Sequence, residues 1–169
     1  MHQRQRYEGA QIDRSLAKAL LAEYRWSDLD KLQLGRYAEY YTKMEFTRYG
    51  FDVYEPEVDQ RGIDFVIRKP EGKYYEMQVK SKRGLEYVFF RKDKFQLSKS
   101  LYAVIVLFLE RSEPQLYLIP STKWCHPDCL FKSRDYVGRK SKPEWGLELN
   151  KRNHARLKRF AFDRIVKSL

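Results

Sequence analysis

An unbroken apolar run, LYAVIVLFLE at residues 101–110, constrains the fold of this chain more than any other stretch. Strands with one wet face alternate apolar and polar residues, whereas a continuous run is typical of a central strand buried on both faces. The segment QLYLIP at 115–120 follows a Glu-Pro turn and is predicted to pair beside it. The run therefore predicts the centre of a sheet that other elements cover.

Two helices are predicted before the strands. The first covers residues 10–26, where apolar residues recur at helical spacing. The second begins after Ser27, which is followed three residues later by Asp30 in a pattern similar to a capping box, and it ends before Gly50.

After Gly50 the apolar period changes to two, which predicts strands. FDVYEPEV is followed by GIDFVIRK, a Pro-Glu-Gly-Lys turn at 70–73 and YYEMQVKSK, and the last two segments read as a β-hairpin. YVFF at 87–90 is a further short strand. Residues 121–146 are predicted to be loop-rich and basic, and residues 150–169 to form a closing helix with one apolar face. The order predicts one α/β domain, 1–169, whose core covers about 27–120.

The charge of the chain indicates its partner. A formal charge of +11, from 34 Lys and Arg against 23 Asp and Glu, favours a polyanion such as DNA. The apolar stretches are far shorter than the roughly 20 residues that span a bilayer, so we expect a cytoplasmic protein without a membrane partner. Cys125 and Cys129 lie in CHPDC, and two cysteines alone cannot complete a zinc site, so a loop with reduced thiols is the favoured interpretation.

The polar residues of YYEMQVKSK fall at every second position. In a strand, Tyr75, Met77 and Val79 then share the core face, while Glu76, Gln78, Lys80 and Lys82 share the other. On the hairpin partner the core set is Ile63, Phe65 and Ile67. Asp64 points the opposite way and is predicted to lie beside Gln78 and Lys80. The group could hold a hard cation and a water, or could simply be a solvated strand face.

Three pieces together resemble the PD-(D/E)XK nuclease superfamily over residues 34–110: Glu39 in GRYAE, Asp64 in GID, and the triplet Gln78-Val79-Lys80. The resemblance implies a restriction-endonuclease-like fold, a mixed β-sheet flanked by helices. It also implies metal-dependent endonuclease activity on DNA, with Mg²⁺, or Mn²⁺ in its place, as the cofactor.

The same resemblance implies the roles of the site residues. Asp64 would be the principal metal ligand, with the Gln78 side-chain oxygen and the Val79 carbonyl completing the set. Lys80 would position the attacking water, and Glu39 would reach the metal through water or hold Lys80. The sequence departs from the pattern in two ways: position 78 is Gln where many members have an acid, and no Pro directly precedes Asp64.

Two basic clusters are expected to contact phosphates. The first comprises Lys82, Arg83, Arg91, Lys92 and Lys94, and the second comprises Lys132, Arg134, Arg139, Lys140 and Lys142. Duplex cutting needs two sites, which predicts a homo-oligomer, either a dimer or a tetramer. Two alternatives to an endonuclease stay open: a non-catalytic DNA-binding module that keeps the fold, and a DNA-binding subunit of a larger assembly.

Overall fold

The structure is a computed structural model that describes residues 22–57 and 62–169. Its strands, in chain order, are β1 (Asp52–Tyr54), β2 (Phe65–Arg68), β3 (Tyr74–Arg83), β4 (Val88–Arg91), β5 (Leu101–Phe108), β6 (Gln115–Pro120), β7 (Phe131–Arg134) and β8 (Glu144–Leu147). A five-stranded sheet has the order β1-β2-β3-β5-β6, with β3 and β5 parallel and the other pairs antiparallel. The predicted hairpin is therefore confirmed as β2 and β3.

A second sheet has three antiparallel strands in the order β4-β8-β7. The prediction of loops over 121–146 was wrong in part, because this stretch contains β7, the start of β8 and a 3₁₀ helix at Ser121–Cys125. The two new strands are only four residues long each, too short to produce a clear periodic pattern. Pairing with β4, which is distant in sequence, defines β8, and pairing with β8 defines β7.

The long helix α1 (Lys31–Arg48) precedes the sheet. Its N-cap is Asp30, whose carboxylate accepts from the N–H groups of Leu32 and Gln33 at 2.7 and 2.8 Å. Gln33 returns the contact by accepting from the Asp30 N–H, so the capping box is Asp30–Gln33, and the predicted Ser27–Asp30 box was wrong. The predicted end is confirmed, since Gly50 follows the helix with φ +79°.

Two apolar clusters lie on the two faces of the five-stranded sheet, and β5 contributes to both. Val104, Val106 and Phe108 pack with α1 residues such as Phe46. Ala103, Ile105 and Leu107 face the other way, where they pack with residues of the second sheet that include Val88, Phe90, Phe131 and Leu147. The prediction of a strand buried on both faces is confirmed. Ile63 was assigned to the same core set as Phe65 and Ile67, but it packs against the second-sheet cluster instead.

The C-terminal segment is not the single helix predicted for 150–169. It forms α2 (His154–Leu157), a 3₁₀ turn at Lys158–Phe160, α3 (Phe162–Ile165) and a 3₁₀ turn at Val166–Ser168. The break falls at Ala161, whose ψ of 135° is extended and which bridges to Tyr117 of β6. Pairing with the sheet edge thus overrides helical periodicity, although Leu157, Phe160 and Val166 are buried. The helix predicted for 10–26 lies mostly outside the described residues.

Candidate active site

The β2–β3 hairpin brings Asp64 to β3. Phe65 pairs with Met77, which places Asp64 one step further along, opposite Gln78. The Asp64 N–H donates to the Met77 carbonyl at 2.9 Å, and its Oδ2 accepts from the Val79 N–H at 2.5 Å. Asp64 and the Gln78-Val79 pair are therefore adjacent, as the alternating pattern indicated.

Among the described residues, the pairing of β2 with β3 covers only Tyr74–Met77 of β3, so β3 continues beyond β2. From Gln78 onward, none of the described β2 residues pairs with the side of β3 that faces β2. The Val79 N–H points to that side and is held by Asp64. Because the N–H and C=O of one residue in a strand point the same way, the Val79 carbonyl also faces Asp64.

Gln78 is buried, with 6% of its surface exposed. Its Nε2 donates a short hydrogen bond to the Gly62 carbonyl. Its Oε1 is buried and has no hydrogen-bond partner in the described parts of the chain. For Gln78 the interpretation as a solvated strand face was wrong, because residues around β4 cover this face of the sheet. A buried, unpaired acceptor is costly and calls for an explanation.

Gly62 has no side chain, which leaves room for the Gln78 amide. Its φ is +77°, and a Cβ at this position would lie 2.6 Å from Gln78 Nε2 and 3.4 Å from the Lys94 Cβ. A side chain at 62 would collide with the glutamine amide and strain the backbone. Sequence analysis gave Gly62 no role, although its place two residues before Asp64 was the available signal.

Lys80 lines an open cleft of about 970 Å³ between the start of α1 and the β3–β4 region. The cleft walls include Val79, Lys82, Glu39 and Phe89. The Lys80 ammonium also lies 5.9 Å from the centroid of the Phe90 ring, a cation–π contact. Lys80 therefore lines a cavity that is open to solvent.

Glu39 lines the same cleft, on the α1 side. Its Oε2 forms an ion pair with Arg36 Nη1 at 2.9 Å, and the carboxylate side chain is 28% exposed. The structure therefore brings Glu39 and Lys80 to one cavity, with Arg36 as the ion-pair partner of the glutamate. Arg36 and Lys31 are cationic cleft residues that sequence analysis missed, and α1 periodicity alone does not distinguish them from other surface cations.

Glu76 shares the strand face of Gln78 but lines a different cavity, of about 530 Å³, together with Lys94, Ser98 and Ser100. Its backbone N–H donates to the Ser100 carbonyl at 2.9 Å. The side chain is therefore separated from the Lys80 cleft by the buried Gln78.

The predicted phosphate-binding residues have different surroundings. Lys82 lines the cleft with an ion pair to Glu86 at 3.3 Å, whereas Arg83 donates to the Leu29 carbonyl. Arg91 pairs with Asp93, and Lys92 binds Asp135 at 2.5 Å while its ammonium lies 4.1 Å from the Trp145 ring centroid.

In the second predicted cluster, Arg134 lies 4.0 Å from Glu148 and Lys142 lies 3.9 Å from Asp93. Lys132 donates to the Asp128 carbonyl at 2.8 Å. Arg139 and Lys140 are exposed residues of the turn around Gly138. Acids therefore compensate much of the predicted basic surface, and Arg139 and Lys140 present their charges to solvent.

The oxygen donors around Asp64 suit a hard cation. The Asp64 carboxylate bonds the Val79 N–H, the Val79 carbonyl is directed to the same side of β3, and the Oε1 of the neighbouring, buried Gln78 has no partner among the described residues. In residues 22–57 and 62–169, no three His, Cys, Asp or Glu side chains cluster as a metal site, so this donor set depends on an amide and a backbone oxygen. Cys125 and Cys129 are both exposed free thiols. None of the described helices is long and apolar enough to cross a bilayer.

No protein-family model matches the sequence, and no curated protein matches it. Among solved structures, the chain is similar to Hjc, a Holliday junction resolvase from Archaeoglobus fulgidus, with a TM-score of 0.51 and 14% identity over 79% of this chain and 95% of that one. It is also similar to the bacterial homing endonuclease I-Ssp6803I, with a TM-score of 0.49 and 21% identity over 82% of this chain and 93% of that one.

The similarity to Hjc concerns the fold. It confirms the mixed α/β architecture that the resemblance to PD-(D/E)XK nucleases implied: the chain has the restriction-endonuclease-like fold. In the described residues the crossover from β3 to the parallel β5 contains the short strand β4. The sheet β4-β8-β7 covers the face of the five-stranded sheet that lies opposite α1.

Proposed function

We propose that the protein is a metal-dependent DNA endonuclease that hydrolyses phosphodiester bonds. The observation that carries this proposal is the arrangement around β3: Asp64 held by the Val79 N–H, beside a buried Gln78 whose Oε1 is unpaired among the described residues. Two residues further on, Lys80 lines a cleft with several other cations. The fold shared with a Holliday junction resolvase supports the same class of activity.

Asp64, Gln78 Oε1 and the Val79 carbonyl would hold the metal, Mg²⁺ or Mn²⁺. A bound divalent cation would supply Lewis acidity toward a phosphate oxygen and lower the pKa of a water. The protein holds the groups that would bind the metal in fixed orientations. Val79 N–H orients the Asp64 carboxylate, and Gly62 orients the Gln78 amide so that its oxygen faces away from the Gly62 carbonyl.

Lys80 acts on the substrate side of the site. Its ammonium, near the Phe90 ring, would orient the attacking water and stabilise negative charge that develops on the phosphate. Glu39, in the same cleft, would accept a hydrogen bond from that water or from Lys80 once substrate competes for Arg36. Arg36 then contacts a phosphate of the bound strand.

A non-catalytic DNA-binding module is the second candidate, and one observation favours it. The donor set around Gln78 contains a single carboxylate, since position 78 is an amide and Glu39 is paired with Arg36. Fewer charges weaken the binding of a hard cation. This candidate retains DNA binding and loses both metal binding and cleavage.

We further propose that the active form is a homo-oligomer, because both strands of a duplex must be cut. Along α1, Tyr40 and Met44 expose 55% and 62% of their surfaces. Exposed apolar residues at this spacing are available for contact with a second chain.

The decisive test is cleavage of supercoiled, linear, branched and single-stranded DNA with Mg²⁺ or Mn²⁺. We expect Asp64→Ala and Lys80→Ala to abolish cleavage while DNA binding persists. Lys69→Ala is the matched control, because Lys69 is also partly buried against an aromatic ring, 4.8 Å from the Phe51 centroid, but lies outside the cleft. Full cleavage by purified Asp64→Ala would contradict the proposal. The non-catalytic DNA-binding module would be established if the wild type retards DNA in a gel, cleaves none of the substrates and shows no metal binding by calorimetry.

A further inference from the structure

The second sheet places one aromatic side chain in the cleft. Along β4, Val88 and Phe90 are buried at 1% exposure each and pack on the five-stranded sheet, while Phe89 points the other way and is 53% exposed. Phe89 lines the same cleft as Lys80 and Lys82. Its ring is therefore accessible to a ligand that also contacts the two lysines.

The outer face of the sheet leaves this ring accessible. The cross-strand neighbour of Phe89 is Gly146, which has no side chain to cover it. The space over Gly146 is occupied by Tyr87, since a Cβ on Gly146 would lie 2.0 Å from the Tyr87 hydroxyl. Tyr87 is fixed by a hydrogen bond to Glu144 at 2.7 Å and by Arg134, 4.6 Å from its ring centroid. The tyrosine is thus anchored, and the phenylalanine beside it is open.

The charges around Phe89 select the kind of partner. The cleft is lined by the cations Lys31, Arg36, Lys80 and Lys82, with Glu39 as the carboxylate among its described lining residues. An apolar protein surface would desolvate these cations without neutralising them, which is unfavourable. A nucleic acid strand supplies phosphates for the cations and a π-face for the ring.

We propose that Phe89 is a stacking site for an unpaired nucleobase of DNA whose phosphates contact Lys80 and Lys82. In continuous duplex every base is paired and stacked within the helix, so it reaches Phe89 only at the cost of unstacking. The site therefore selects DNA that already has unpaired bases beside the bound phosphates, such as branches, gaps or single-stranded ends. Binding of this class of DNA at Phe89 does not depend on the proposed nuclease function. Only the cleavage of the bound DNA rests on that proposal.

The test is binding without metal, using a single-stranded oligonucleotide with one 2-aminopurine and the corresponding duplex. We expect wild type to change the 2-aminopurine fluorescence and to bind the single strand more tightly. Phe89→Leu, which keeps an apolar side chain but removes the ring, should lose the fluorescence change and weaken single-strand binding about ten-fold. Phe89→Trp should restore both. Tyr74→Leu is the matched control, since Tyr74 is 55% exposed on β3 but lies outside the cleft.

Equal binding of the single strand by wild type and Phe89→Leu would overturn the stacking site. So would a change of molecular mass on sedimentation of Phe89→Leu, because that result would identify Phe89 as a subunit contact. The cleavage assay is read separately. If wild type cleaves no DNA with metal while the Phe89-dependent fluorescence change persists, the nuclease proposal fails and the stacking site stands.

Discussion

Replacing Gly62 by alanine tests the geometry on which the site depends. Two effects act at this position. The φ of +77° is unfavourable for any residue with a Cβ, and the added Cβ would lie 2.6 Å from Gln78 Nε2. The first effect strains the backbone, and the second displaces the glutamine whose Oε1 is proposed to face the metal.

The structure contains a control that separates these effects. Gly84 has nearly the same φ, +78°, but a Cβ there has nothing within 4 Å. Gly84→Ala should therefore cost only the backbone strain, about 1–2 kcal/mol. Gly62→Ala should cost this amount plus about 1–3 kcal/mol for overpacking and for loss of the hydrogen bond between Gln78 and Gly62.

The measurement is the free energy of unfolding in urea for both variants, with cleavage and metal titration beside it. We expect Gly62→Ala to be less stable than Gly84→Ala and to lose activity, while Gly84→Ala keeps it. In the double variant Gly62→Ala with Gln78→Ala, the collision partner is gone, so the two losses should be less than additive. Equal destabilisation by Gly62→Ala and Gly84→Ala, with additivity in the double variant, would refute the reasoning.

Two further predictions concern the second sheet and the basic turn. Burial and the hydrogen bond to Glu144 raise the pKa of Tyr87 above its ordinary value of 10.0, so the phenol stabilises the fold below about pH 10 and this stability is lost as pH rises through the folded-state pKa. Urea unfolding of Tyr87→Phe should show a shallower alkaline loss than wild type, and identical profiles would contradict this. Arg139→Ala and Lys140→Ala should each lower the salt dependence of duplex binding, by about 0.9 in log–log slope per lost phosphate contact. Lys73→Ala, in the turn between β2 and β3, is the control, and unchanged slopes for all three would remove the 136–141 turn from the interface.

Local sequence patterns predicted correctly those elements that are long enough to show a clear period or a clear end signal. The period of two in β2 and β3, the turn between them and the stop at Gly50 were all read correctly, since each depends on neighbours in sequence. The capping box was predicted three residues too early because Ser27 and Asp30 are both good N-cap residues. The mutual hydrogen bonds of Asp30 and Gln33 make Asp30 the N-cap. The short strands β7 and β8 were missed because β8 is defined by its pairing with the distant β4, and β7 by its pairing with β8.

For the site, sequence alone determined that Asp64, Gln78 and Lys80 belong to adjacent positions of one hairpin, because strand alternation and a short turn fix which residues are neighbours. Only the tertiary structure decided their surroundings. Gln78 is buried, the Gly62 carbonyl accepts from its amide, Asp135 from a distant segment pairs with Lys92, and Phe89 lines the cleft. The physical reason is that periodicity specifies the direction of a side chain, whereas burial and charge compensation depend on which distant segments pack against it.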